Sequence, residues 1–209
     1  MLYLNNNLRK FTLYHEKGVL HMRIEEMLKY NEQFVRNKGY IPYRSNSIPN
    51  KRMVVFTCME SRLVELLPKA LNIQNGDVKM IKNAGAIIRK SFDSVIKSIL
   101  VAIYKLQAEE VVVIGHYDCG MSCVDTNQLM EQMKSAGIKE ETFKALEYAG
   151  IDFHKEFYGF QSVEDSITQS VEIIRGHPLL PKHVLVHGLV IDPDTGKVDV
   201  ISIDKKQKV

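Results

Sequence analysis

The 209-residue sequence contains no apolar run approaching the ~18 residues that cross a bilayer. Its amino-terminal segment also lacks an uninterrupted apolar stretch followed by a small-residue cleavage site, the mark of a secretory signal. These absences predict no membrane association and a cytoplasmic location. An excess of one charge is lacking too: 28 Lys and Arg stand against 25 Asp and Glu, a formal net charge of +3. Without a clustered basic face, that balance speaks against a nucleic-acid partner. The one dense basic stretch, Lys205, Lys206 and Lys208, reads as a solvated terminus. Cysteines number only three, an odd and small count that implies no disulfide framework and suits a reducing compartment. There is no internal repeat and no low-complexity segment. No G-x-G-x-x-G occurs, and Gly115 to Gly120 is not followed by the Lys and hydroxyl residue of a phosphate-binding loop, which weakens a nucleotide-binding reading.

What is present is the composition of a soluble globular protein, 45% apolar and 25% charged, enough to bury one core. Residues 1–21 show no clear period and are set apart as a leader, either an appendage or an upstream start. Residues 22–209 read as a single domain. From Met22 to Asn37, Met22, Ile24, Met27, Leu28, Phe34 and Val35 roughly follow helical spacing and predict an amphipathic helix. Met53 to Phe56 is a short continuous apolar run of buried-strand type, with Cys58 just past its end. Leu63 to Leu71 looks helical, with a break expected at Pro68, and a turn at Asn75 to Asp77 precedes a strand over Val78 to Ile81. Ser91 to Leu106 carries the strongest helical pattern, and Val111 to Ile114 is a fully apolar strand that leads directly into His116 and Cys119. Residues 120–176 read mainly as helix, with loops near Gly137, Gly150 and Gly159. A strand over Val184 to Ile191, a turn from Pro193 to Gly196 and a strand over Val198 to Ile203 close the chain.

Helices alternating with apolar strands predict an α/β fold: a mostly parallel central sheet flanked by helices, with the last two strands forming a hairpin-like edge. In such sheets ligands gather at the carboxyl ends of strands, and Cys58, Glu60, Arg62, His116 and Cys119 all fall there. Cys58, His116 and Cys119 offer two thiolates and an imidazole, a set that can hold zinc while leaving a fourth place for water or substrate. The two metal-binding segments are too far apart for a local zinc-finger loop, so the fold itself must assemble the site. Within His116-x-x-Cys119, a tight turn opening a helix would favour a thiolate.

The segment Cys58-Met59-Glu60-Ser61-Arg62, followed by Gly115-His116-Tyr117-Asp118-Cys119-Gly120, resembles the β-class carbonic anhydrases. The likeness extends from the preceding amphipathic helix through Lys82-Asn83-Ala84-Gly85-Ala86 to Val186-His187-Gly188 and Asp194-Thr195-Gly196-Lys197. The resemblance implies a homodimer or dimer of dimers with one zinc per subunit, held by Cys58, His116, Cys119 and a water. Attack of zinc-bound hydroxide on CO2 would then give bicarbonate and a proton. It also implies that a carboxylate held by Arg62 orients the nucleophile. Here the chain departs from the common C-x-D-x-R pattern, because Glu60 stands where aspartate is usual. The longer side chain can orient water after a small rotation, or act as a fourth metal ligand in a closed state.

Gly85 lies in a small-residue loop that can bring backbone close to a substrate or simply make a tight turn. Cys123 reads as a buried helix cysteine rather than a ligand. His183 and His187 read as strand residues engaged in packing or a backbone hydrogen bond. His15, His21, His154 and His177 belong to no convergent motif. A cysteine-nucleophile phosphatase is disfavoured, because three residues rather than five separate Cys58 from Arg62. Two rivals keep the zinc: a hydrolase of carbonyl sulfide or carbon disulfide, and a silent homologue in which Glu60 blocks the metal.

Overall fold

A computed structural model describes residues 23–205. The leader at 1–21, with His15 and His21, and the tail from Lys206 onward lie outside the described residues. The described chain forms two compact units that part after Tyr43. The first holds α1, Arg23–Arg36, and a 3-10 turn at Ile41–Tyr43. Glu25 and Glu26 sit in the first turn of α1 and Arg36 in its last, complementing the helix dipole. The expected amphipathic helix is therefore present, with none of its residues buried.

The second unit runs β1 (Met53–Cys58), α2 (Leu63–Ala70), β2 (Val78–Asn83), α3 (Ser94–Tyr104) and β3 (Glu110–His116). It continues through α4 (Thr126–Ser135), α5 (Glu140–Tyr148), α6 (Phe153–Phe157), α7 (Val163–Arg175), β4 (Leu185–Ile191) and β5 (Val198–Ser202). The sheet order is β2-β1-β3-β4-β5, with every pair parallel except β4 and β5 at the edge. The α/β architecture expected from the alternation is the one observed.

Continuous apolar strands form because both faces of the sheet are covered. Val54, Phe56, Val111 and Val113 face one core, filled by Ile96 and Ile99 of α3 and Ile167 and Val171 of α7. Val55, Val112 and Ile114 face the other, filled by Leu63 and Leu67 of α2. Each fully buried side chain of this kind contributes roughly 1.5–3 kcal/mol. Gly115 and Gly188 let α7 lie flush on the sheet: a Cβ on Gly115 would come within 2.8 Å of Ile167 and Val163, and one on Gly188 within 2.9 Å of Ile167.

Several local readings are corrected. Pro68 does not break α2, since it falls in the last turn and the helix ends two residues later at Ala70. The third helix is shorter than its apolar pattern because Asp93 caps it, accepting the Ile96 N–H at 2.9 Å. That leaves Ser91 and Phe92 outside the helix, with Phe92 exposed. Cys58 and His116 are the final residues of their strands rather than the first beyond them. After Cys119 comes a four-residue 3-10 turn, Gly120–Cys123, not an α-helix. The next α-helix, α4, begins only at Thr126, so the turn's own Met121 amide is what favours a Cys119 thiolate here.

Candidate metal centre

From β1 the chain moves outward through α2 to β2, then returns through α3 to β3 on the other side of β1. The strand order reverses between β1 and β3, which is where open α/β sheets leave a crevice at their carboxyl ends. Thr57 pairs with Ile114 across this junction. Cys58 and His116, distant in sequence, therefore end side by side. Asp118 adopts a left-handed backbone with φ 53° and turns the chain back, bringing in Cys119. The three side chains are buried, and their ligand atoms lie within 4.8 Å of one another.

Their chemistry fits a metal ion. The Cys58 and Cys119 sulfurs are 4.0 Å apart; two thiolates bound tetrahedrally to zinc stand about 3.8 Å apart, taking about 2.3 Å per Zn–S bond. His116 Nδ1 lies 2.7 Å from the Tyr117 carbonyl oxygen, so Nδ1–H donates there and Nε2 keeps its lone pair. That Nε2 is buried and has no hydrogen-bond partner, a costly arrangement that a metal bond would resolve. Among the described residues no fourth protein ligand joins the cluster, the pattern of catalytic rather than structural sites.

The two sulfurs are close enough for a hydrogen bond in which either can be the donor. Cys58 is pulled below the ordinary thiol range, first by the hydrogen bond with Cys119 and also by the nearby His116 and the Gly85 amide, against the opposing effect of burial. Cys119 is pushed up by the same hydrogen bond and by burial. Two thiolates this close repel; a dication between them removes the repulsion and makes both ligands. Burial alone would lower the pKa of His116, but the nearby Cys58 sulfur and the hydrogen bond to the Tyr117 carbonyl leave it raised. A metal held by these groups would compete with protons, so its uptake would weaken as pH falls.

Glu60 and Arg62 sit in the turn between β1 and α2. Glu60 Oε1 accepts the Arg62 backbone N–H at 3.0 Å, and its Oε2 accepts Arg62 Nη2 at 3.3 Å. The carboxylate is thus held by Arg62, apart from the metal-ligand cluster. The Arg62 Nη1 also bonds Asp118 Oδ2 at 3.0 Å and approaches Asp194 Oδ1 at 3.7 Å. The Arg62 side chain holds the Glu60 carboxyl down at about 2, with the Arg62 amide as the second contributor. Because this folded value lies below the ordinary 4.5, the stabilisation is full above pH 4.5 and is lost as pH falls toward 2. A carbon-13 NMR titration of Glu60 should show a midpoint near 2, whereas one near 4.5 would mean that the pair does not form in solution.

Gly85 lies in the turn after β2 with φ +78°, and its N–H donates to Cys58 Sγ at 3.3 Å. The turn is tight, and its backbone comes close to the Cys58 sulfur. Cys123 is exposed and lies in the 3-10 turn, which corrects its reading as a buried helix cysteine. His187 is in β4 and accepts the Asp204 N–H at 3.3 Å, the expected backbone bond. His183 is exposed and precedes the strand, so the two do not form a strand pair. His177 bridges Ser91 O and the Leu179 N–H; His154 is exposed on α6. Asp118 and Asp194, which grip Arg62, were not legible as site residues. Asp194 reaches the arginine only through the β4–β5 turn, and no local spacing announces such a contact. A separate cavity of about 970 Å³ lies at the amino-terminal ends of β3 and β4, lined by residues including Glu110, Arg175, His183 and Asp204.

A parallel α/β sheet thus carries, at its strand-order reversal, a buried Cys-His-Cys cluster able to hold a metal ion. The carbonic anhydrase family model matches residues 53–198, which include all three cluster residues and the Glu60–Arg62 pair. The candidate carbonic anhydrase YtiB of Bacillus subtilis is 49% identical over 85% of this chain and 95% of its own length. A carbon disulfide hydrolase of Acidithiobacillus thiooxidans is 30% identical over 84% of this chain and 89% of its own. The β-carbonic anhydrase isoform I of Trichomonas vaginalis superposes with a TM-score of 0.81 at 33% identity, covering 88% of this chain and 100% of that one. The chain belongs to the β-carbonic anhydrase family.

Proposed function

We propose that this protein catalyses the zinc-dependent, reversible hydration of CO2 to bicarbonate and a proton. The observation that carries the reading is the buried three-ligand cluster, with an orphaned His116 Nε2, beside a Glu60 carboxylate turned onto Arg62. Zinc bound there supplies Lewis acidity that brings the pKa of water toward ~7. Cys58, His116 and Cys119 hold the ion. Glu60, ionised across the neutral range, accepts a hydrogen bond from the attacking water and aims its lone pair at the carbon of CO2. Arg62 fixes Glu60 and is itself fixed by Asp118 and Asp194. The single amide hydrogen of Gly85 is engaged by Cys58, so its role is to support that ligand rather than to bind substrate. Ligand thiols that must stay reduced favour a cytoplasmic setting, and family membership supports a homodimer or dimer of dimers.

A second reading, hydrolysis of carbon disulfide to CO2 and hydrogen sulfide, is favoured by the 30% identical hydrolase, which aligns over most of both chains. Parallel assays separate the two. Stopped-flow CO2 hydration should be fast and sulfide release from carbon disulfide absent; rapid sulfide release with no CO2 hydration would reverse the assignment.

A further inference from the structure

The turn after β2 is held by more than its own backbone. Gly85 and Ala86 both have left-handed dihedrals, φ 78° and 54°, a conformation unfavourable for a residue such as Ala86 that carries a Cβ. Two side chains enforce it. Asn83 spans the turn, donating from Nδ2 to Ile87 O at 2.8 Å and accepting the Ile87 N–H on Oδ1 at 3.2 Å. Ser170, from α7 and only 1% exposed, donates to Ala86 O at 3.3 Å and accepts the Ile88 N–H at 3.4 Å. The constrained turn presents the Gly85 N–H to Cys58 Sγ at 3.3 Å. Glycine is required at its centre, since a Cβ would come within 2.9 Å of Ile87 and Met121 side-chain atoms.

We infer that Asn83 and Ser170 are positioning residues that keep the Gly85 amide on the Cys58 sulfur and so set how strongly that thiolate donates to the metal. An N–H···S bond draws electron density from a ligand sulfur and leaves the bound cation more electrophilic. This matters in a site with two thiolates, because their charge offsets that of a dication and dulls its effect on water. The inference rests on the zinc-site reading.

The test uses full-length protein loaded with cobalt(II), whose sulfur-to-metal charge-transfer band reports the donor strength of the thiolates. Ser170→Ala and Asn83→Ala should each move the band to lower energy and change zinc affinity about 10-fold in chelator competition, the lower end for groups that support a metal ligand. Ser170→Thr, which keeps the hydroxyl, should restore the band. Ser166→Ala, a buried serine on the same helix, should leave band and affinity at wild-type values even if it lowers the melting temperature. Should Ser170→Ala fail to fold, Ser170→Cys, close in shape but a weak hydrogen-bonding group, takes its place. An unmoved band with unchanged affinity in both the Ser170 and Asn83 variants overturns the inference. Wild-type protein that takes up no metal rejects the zinc-site reading instead, before any variant is compared.

Discussion

Replacing Cys58 by serine is expected to release zinc and abolish CO2 hydration. Serine matches cysteine in shape, so the end of β1 should stay folded, but its neutral hydroxyl replaces a thiol whose pKa is lowered by its neighbours and whose thiolate is far softer toward zinc. Partners outside the metal's first ring of contacts cost 10–100-fold in affinity when removed. Loss of a direct ligand from a set of three should therefore cost more than about 100-fold. The Gly85 amide loses its sulfur acceptor in the same variant. Metal content by mass spectrometry and stopped-flow hydration check both parts. Stoichiometric zinc with a full rate would sink the ligand assignment.

The second large effect concerns Glu60. Glu60→Ala should keep zinc, because the carboxylate stands outside the ligand cluster, yet slow CO2 hydration on the order of 10²-fold, the low end for a positioned proton acceptor. Arg62 should remain in place without Glu60, since Asp118 and Asp194 still face its guanidinium. Glu60→Asp restores the shorter carboxylate common in the family and should preserve or raise the rate. The sign of the alanine result separates two mechanisms. If Glu60 closed the metal site, its removal would open that site and raise the rate; an unchanged rate would remove Glu60 from the mechanism altogether.

The parts of this site legible in the sequence were those set by strand ends. Val54 to Phe56 and Val111 to Ile114 announce two buried strands, and a parallel sheet places whatever follows them at one edge. This made Cys58, His116 and Cys119 readable as one cluster despite their separation. Elements whose ends depend on a cap or turn were less legible. Asp93 shortened α3, and a 3-10 turn replaced the helix expected after Cys119. The supports of the site left no local signal. Asn83 and Ser170 meet at the Gly85 turn only once α7 is packed across the sheet, and Asp194 meets Arg62 only through the β4–β5 turn. Such contacts depend on tertiary packing, which spacing along the chain does not encode.

The most direct test of the account is zinc content measured together with CO2 hydration across pH on the same wild-type preparation. The account predicts one zinc per chain and a rate that rises through neutral pH as water at the metal ionises, with Glu60 contributing no titration there. One zinc per chain with no hydration at any pH would contradict it and point to a metal that Glu60 keeps closed.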